Sequence, residues 1–209
     1  ATQTFQKYDL TTGTWSAKAN VTVAVAKGGA LTSNGGNLVF GLSGNGGQKF
    51  QEYSISGNSW TARTDTGTNV GEGGAAVYLT VGGTNYVYAL MGNGTGFRRY
   101  NVGTPGWAAM ASTPATVKKG GALTTDGTYI YALGGSQGPG GNSKAFWRCK
   151  ATTSGSAGDC NTSWTPLANL PADAGWGGSL TKVGDYVYAL NGNNKATFYR
   201  YGPLSGSPA

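Results

Sequence analysis

Short apolar runs, each of three to five residues, recur along the chain and are separated by polar turns. The most regular runs are Tyr86-Val87-Tyr88-Ala89-Leu90, Tyr129-Ile130-Tyr131-Ala132-Leu133 and Tyr186-Val187-Tyr188-Ala189-Leu190, with Leu38-Val39-Phe40-Gly41-Leu42 as a weaker first copy. Each follows a shorter run of small and apolar residues: Ala30-Leu31-Thr32, Ala75-Ala76-Val77, Ala122-Leu123-Thr124 and Ser179-Leu180-Thr181. Turns rich in Gly, Asn and Asp lie between the two runs, as hairpins require. A third run carries aromatics three apart, Phe50 and Tyr53, Phe97 and Tyr100, Phe198 and Tyr201, with Phe146-Trp147 as the divergent copy. A fourth begins at a tryptophan. The β-branched and aromatic content predicts strands, and no segment of ten or more residues carries helical periodicity.

The four-run unit is repeated. Glycine pairs Gly28-Gly29, Gly73-Gly74, Gly120-Gly121 and Gly177-Gly178 stand 45, 47 and 57 positions apart. Trp15, Trp60, Trp107 and Trp164 show the same intervals, each 13 residues before its glycine pair. Four short strands per 45–50 residues predict an all-β propeller of four-stranded blades, about four in number. A single domain over 1–209 is expected, with repeats near 28–70, 73–117, 120–174, and 177–201 completed by 1–26. The chain opens on third and fourth strands and closes on a third strand, seventeen in all, where four closed blades need sixteen. The N-terminal strand holding Trp15 is expected to complete the last blade, leaving one third strand surplus. Such an edge is a template for pairing with another copy.

The step from Tyr100 to Trp107, followed by Pro114 and by Tyr129-Ile130-Tyr131-Ala132-Leu133-Gly134-Gly135, resembles a Kelch repeat. Tyr8-Asp9 to Trp15 and Tyr53 to Trp60 show the same seven-residue step. The double glycine after the second strand survives only at Gly134-Gly135; elsewhere it is Gly44-Asn45, Gly92-Asn93 and Gly192-Asn193. The resemblance implies a propeller and a binding role, with galactose oxidase as a catalytic exception in that family.

Composition sharpens this picture. There are 38 glycines in 209 residues, far above the usual ~7%, yet 38% hydrophobic content argues against disorder. Charged residues are only 11% and the net charge is +7, scattered without the basic stripe that nucleic-acid binding needs. Cys149 and Cys160 flank a polar stretch inside the long third interval, so a disulfide is expected to staple an enlarged hairpin. That bond, the polarity carried by Ser, Thr and Asn, and the lack of a membrane-length apolar run suggest a secreted or cell-surface protein.

The chain has no histidine. Imidazole-based catalysis and most zinc and copper sites are thereby removed, including the copper chemistry of galactose oxidase. Of the eight carboxylates, Asp126 and Asp185 fall in turns, Asp159 lies in the disulfide loop, and only Glu72 and Asp173 precede a glycine pair, in separate repeats, so no acid pair, metal or cofactor is expected and the chain reads as non-enzymatic. Propeller geometry places the loops from strand four to strand one, and from strand two to strand three, on one face around the axis. The first set ends in Lys27, Glu72, Lys119 and Trp176, chemically different residues at an equivalent position. The second set holds Asn45, Asn93, Gln137 and Asn193. These eight are the candidate ligand site, with Trp176 stacking on a sugar and the Asn side chains donating hydrogen bonds. Asn20, Asn93 and Asn161 begin candidate glycosylation triplets. Two functions are expected: a module recognising a glycan or protein partner, or a structural protein whose copies join by strand complementation into rings or filaments.

Overall fold

The computed structural model describes residues 2–136 and 144–204. Within them the chain is all strand and turn, with seventeen strands in antiparallel sheets. A hairpin of β1 (Phe5–Asp9) and β2 (Thr14–Lys18) comes first. A sheet of β3 (Ala30–Ser33), β4 (Leu38–Leu42), β5 (Phe50–Ser54) and β6 (Ser59–Arg63) follows. The second sheet holds β7 (Ala75–Val81), β8 (Thr84–Leu90), β9 (Phe97–Asn101) and β10 (Gly106–Ala109). The third holds β11 (Ala122–Thr125), β12 (Tyr129–Leu133), β13 (Phe146–Lys150) and β14 (Thr165–Pro166). The last has three strands, β15 (Ser179–Val183), β16 (Tyr186–Leu190) and β17 (Phe198–Tyr201). Strands run in sequence order across each sheet. The first strands β3, β7, β11 and β15 pack side by side along one rim. This is the four-bladed propeller arrangement that the repeat predicted.

The core lies between sheets, because a small twisted sheet has two apolar faces and can shield neither alone. Phe40, Leu42 and Phe50 of the first sheet pack on Val87, Ala89 and Tyr100 of the second. Leu90 and Phe97 meet Leu123, Ile130 and Trp164 of the third, and Tyr131, Leu133 and Phe146 meet Leu180, Val187 and Tyr201 of the last. One joint therefore recurs. The third-strand phenylalanine drives its edge into the aromatics of the next sheet: Phe50 to Tyr100 at 4.8 Å and Trp107 at 5.0 Å, Phe97 to Trp164 at 4.9 Å, Phe146 to Tyr201 at 5.3 Å. Each indole N–H donates back across the joint, Trp60 to the Ala19 carbonyl, Trp107 to Thr64 and Trp164 to Ala111, all at 3.0 Å.

At the rim the joint is backbone on backbone. A Cβ at Gly28, Gly73 or Gly120 would sit 1.8, 2.1 and 1.8 Å from the carbonyl oxygens of Gly71, Lys118 and Gly175 of the following loop. All three glycines also have φ between 81° and 89°, a region closed to most side chains. Hence a glycine stands at this position in each repeat. Gly177 has the same φ of 81° but no described neighbour within 4 Å.

That vacancy marks a departure from the sequence expectation. The Trp15 strand does not complete the last sheet: β2 pairs with β1 alone, and the outer edge of β17 has no partner strand among the described residues. Phe5 accounts for this. It makes edge contacts to Tyr53 at 4.9 Å and Trp60 at 5.1 Å, which hold the hairpin against the first four-stranded sheet as the outer half of a preceding blade. Trp15 is left 66% exposed. Among the described residues the hairpin and the last sheet remain separate sheets.

Candidate functional site

The residues before the glycine pairs are fixed by a repeated hydrogen bond. The carbonyls of Lys27, Glu72, Lys119 and Trp176 accept from the N–H groups of Asn45 at 2.7 Å, Asn93 at 3.0 Å, Ser136 at 2.8 Å and Asn193 at 2.7 Å. Asn45, Asn93 and Asn193 have φ of 58°, 50° and 55°, which asparagine tolerates better than other side-chain-bearing residues. The asparagine loops therefore anchor the first set of loops to the rim. Ser136 holds this position in the third repeat; the candidate Gln137 lies outside the described residues.

Lys27, Glu72, Lys119 and Trp176 come together, as expected, around a rim depression of about 200 Å³ floored by Gly28, Gly73, Gly120 and Gly177. The Glu72 carboxylate bridges the Lys27 ammonium at 3.2 Å and the Lys119 ammonium at 3.4 Å. Lys119 Nζ also lies 3.9 Å from the centre of the Trp176 ring, a cation–π contact. Desolvation at the rim acts to raise the Glu72 pKa, but the hydrogen bonds and charges of the two lysines outweigh it and hold the carboxyl below its ordinary value. The side chain of Lys27 is 71% exposed and Trp176 is 60% exposed. Asn93 joins a neighbouring depression with Glu72, Lys118, Lys119, Ser136 and Trp176. Asn45 and Asn193 line neither depression. Two cations and one acid give the site a net positive charge beside the Trp176 indole, which Lys119 covers on one face and which is otherwise largely exposed.

Other polar groups have structural duties. Asp126 accepts from the N–H groups of Thr128 and Tyr129 and from the Tyr131 hydroxyl, closing its hairpin. Burial, followed by that acidic partner, raises the Tyr131 pKa. The sequence reading missed the fork between Arg63 and Glu52, with contacts of 2.6 and 3.2 Å. Its signal was positional: Glu52 stands where Arg99, Arg148 and Arg200 stand, each within 4.3–4.4 Å of a tyrosine ring centre in its own sheet. Among the described residues no three of His, Cys, Asp and Glu gather as a metal site.

Cys149 and Cys160 are joined in a disulfide. Both are buried against Phe97 and Trp164. Cys149 pairs with Ile130 as Tyr100 pairs with Val87 and Tyr53 with Val39, so the bridge fills the volume of the missing repeat tyrosine. In the same loop Asp159 accepts from Ser154 Oγ at 2.5 Å and from the Ser156 N–H at 2.8 Å. The Ser154 bond is the main cause of a lowered Asp159 pKa. Asn20, Asn93 and Asn161 are all exposed, although Asn161 Nδ2 donates to the Ser154 carbonyl. No described helix is long and apolar enough to cross a membrane.

No family model and no curated protein matches the chain, so the Kelch resemblance rests on the repeat motifs alone. Solved structures do match. YjhT aligns over 90% of this chain and 68% of its own at 16% identity, with a TM-score of 0.60. The computationally designed Ika4 protein aligns over 82% of this chain and 88% of its own at 12% identity, with a TM-score of 0.50. At these identities the likeness is one of fold, and the fold is the propeller.

Proposed function

We propose that the chain is a secreted, non-enzymatic recognition module whose rim site takes a glycan bearing a carboxylate or sulfate. One observation carries this reading: Lys27, Glu72, Lys119 and Trp176, from four different repeats, converge on one depression. The four loops share a backbone geometry but differ in side chain, so the rim supplies a frame and the side chains supply chemistry. The open face of Trp176 offers a plate for the C–H face of a sugar ring. The exposed Lys27 ammonium offers a charge partner for an acidic substituent, while Glu72 fixes the direction of both lysines. The buried disulfide suits an oxidising compartment.

The test is a titration of an oligo-uronate and a matched neutral oligosaccharide, followed by tryptophan fluorescence and calorimetry. The acidic sugar is expected to bind, more weakly as salt rises, and Trp176→Ala and Lys27→Ala are each expected to weaken it at least tenfold. Failure of acidic sugars to bind, or binding unchanged in Trp176→Ala, refutes the reading.

A further inference from the structure

One rim position breaks the repeat. The residues two places before the glycine pairs are Ala26, Gly71, Lys118 and Gly175. All four make the same backbone bond: their N–H groups donate to the carbonyls of Ser43 at 3.0 Å, Met91 at 2.7 Å, Gly134 at 3.1 Å and Asn191 at 2.8 Å. Three of the four are small for a visible reason. A Cβ at Gly71 would lie 2.4 Å from Asn93 Nδ2, and one at Gly175 would lie 2.8 Å from Asn193 Cβ. The asparagine of the facing loop fills the space that a side chain would need. In the third repeat Ser136 takes the place of that asparagine, and its shorter side chain leaves room for Lys118.

The paired change opens a second depression of about 320 Å³, lined by Lys118, Ser136, Asn93, Glu72, Lys119 and Trp176. It adjoins the first and shares Glu72, Lys119 and Trp176 with it. Lys119 forms the divide, its ammonium held between the Glu72 carboxylate at 3.4 Å and the Trp176 ring at 3.9 Å. Lys118 is half-buried and makes no ion pair among the described residues. Glu72 cannot serve it, since Lys27 and Lys119 already draw on both carboxylate oxygens. We infer that Lys118 takes a second acidic group, so that the rim recognises two consecutive acidic sugars of a polyanionic glycan, one at Lys27 and the next at Lys118. This rests on the acidic-sugar reading above and goes past it, because a single acid would leave Lys118 unused. Three lysines against one carboxylate across the joined depressions favour a ligand with more than one negative charge. A carboxylate or sulfate in the recess gives Lys118 the charge-assisted hydrogen bond it lacks.

Calorimetric titration at low salt, where charge pairing is least screened, tests this with three ligands. They are a mono-uronate, a di-uronate, and a disaccharide of one uronate and one neutral hexose. Wild type is expected to bind the di-uronate at least about tenfold more tightly than either of the others. Lys118→Ala is expected to cut that gain below about threefold. Alanine or glycine stands at this position in the other repeats, so the fold is kept, and near-ultraviolet circular dichroism checks it. Ser136→Asn keeps every charge, restores the asparagine of the other repeats and is expected to reduce the gain by filling the recess. Equal affinity for mono- and di-uronate, or a gain that survives either substitution, overturns the inference and leaves the acidic-sugar reading standing. No binding of any uronate overturns both.

Discussion

Phe50 and Phe198 occupy the same repeat position and make the same contact inside their own sheets. Phe50 stacks on Phe40 at 5.9 Å and Phe198 on Tyr188 at 5.4 Å. Only Phe50 also drives its edge into Tyr100 and Trp107 of a following sheet, and it is 1% exposed against 59% for Phe198. Truncating both to alanine therefore isolates the joint. Phe50→Ala removes a buried ring and leaves a cavity, a loss of about 3–5 kcal/mol. Phe198→Ala gives up about two-fifths of a transfer free energy of ~2–3 kcal/mol, which is about 1 kcal/mol. The difference of about 3 kcal/mol includes two edge contacts worth roughly 0.5–1.5 kcal/mol each. Urea unfolding followed by tryptophan fluorescence measures both. Losses within about 1 kcal/mol of each other would show that the sheets do not gain their stability from this interdigitation.

Three further outcomes follow from the same geometry. Gly177→Ala should cost about 1–2 kcal/mol from its positive φ alone, whereas Gly120→Ala adds a Cβ 1.8 Å from the Gly175 oxygen and should cost several kcal/mol more or prevent folding; equal urea midpoints would contradict the rim contact. Unfolding in urea with a phosphine reductant should lower stability by about 3 kcal/mol, the loop-closure contribution of a ring this size, and an unchanged midpoint would remove the disulfide from the account. Asp159 has a folded pKa below its unfolded value near 3.9, so its contribution is present above that value and is lost as pH falls through the folded pKa. Amide resonances of residues 154–163 should broaden or shift below about pH 4 before the sheets respond; a loop unchanged down to pH 2 would contradict this.

The strands and their sheet order were legible because the repeat reports them four times over. The tryptophan and the glycine pair 13 residues later mark different joints, Trp107 reaching back to Thr64 and Gly120 reaching forward to Gly175, so the step carries one repeat's contacts to the sheets on both sides. The convergence of Lys27, Glu72, Lys119 and Trp176 was legible for the same reason: equivalent positions in a radial array share a rim. Three features were not. Ser136 anchors the third loop, because Gly135 takes the positive φ of 65° that Gly44, Gly92 and Gly192 take elsewhere and shifts the alignment by one; Gln137 lies outside the described residues. Cys149 takes the tyrosine position, and the adjacent Phe146-Trp147 pair obscures the Phe-x-x-Tyr spacing that would mark it. The separation of the Trp15 hairpin from the last sheet was not legible because it rests on Phe5 seating against Tyr53 and Trp60 of the first four-stranded sheet, a contact that strand counting does not report.

The most direct test of the repeated joint is exchange of the indole N–H groups, followed by nuclear magnetic resonance in dilute protein. Trp60, Trp107 and Trp164 donate across joints to Ala19, Thr64 and Ala111, and Trp15 is exposed in the first hairpin. Slow exchange at the first three and fast exchange at Trp15 is the predicted result. Equal protection of all four would mean a closed ring, and fast exchange at all four would mean that the joints do not form.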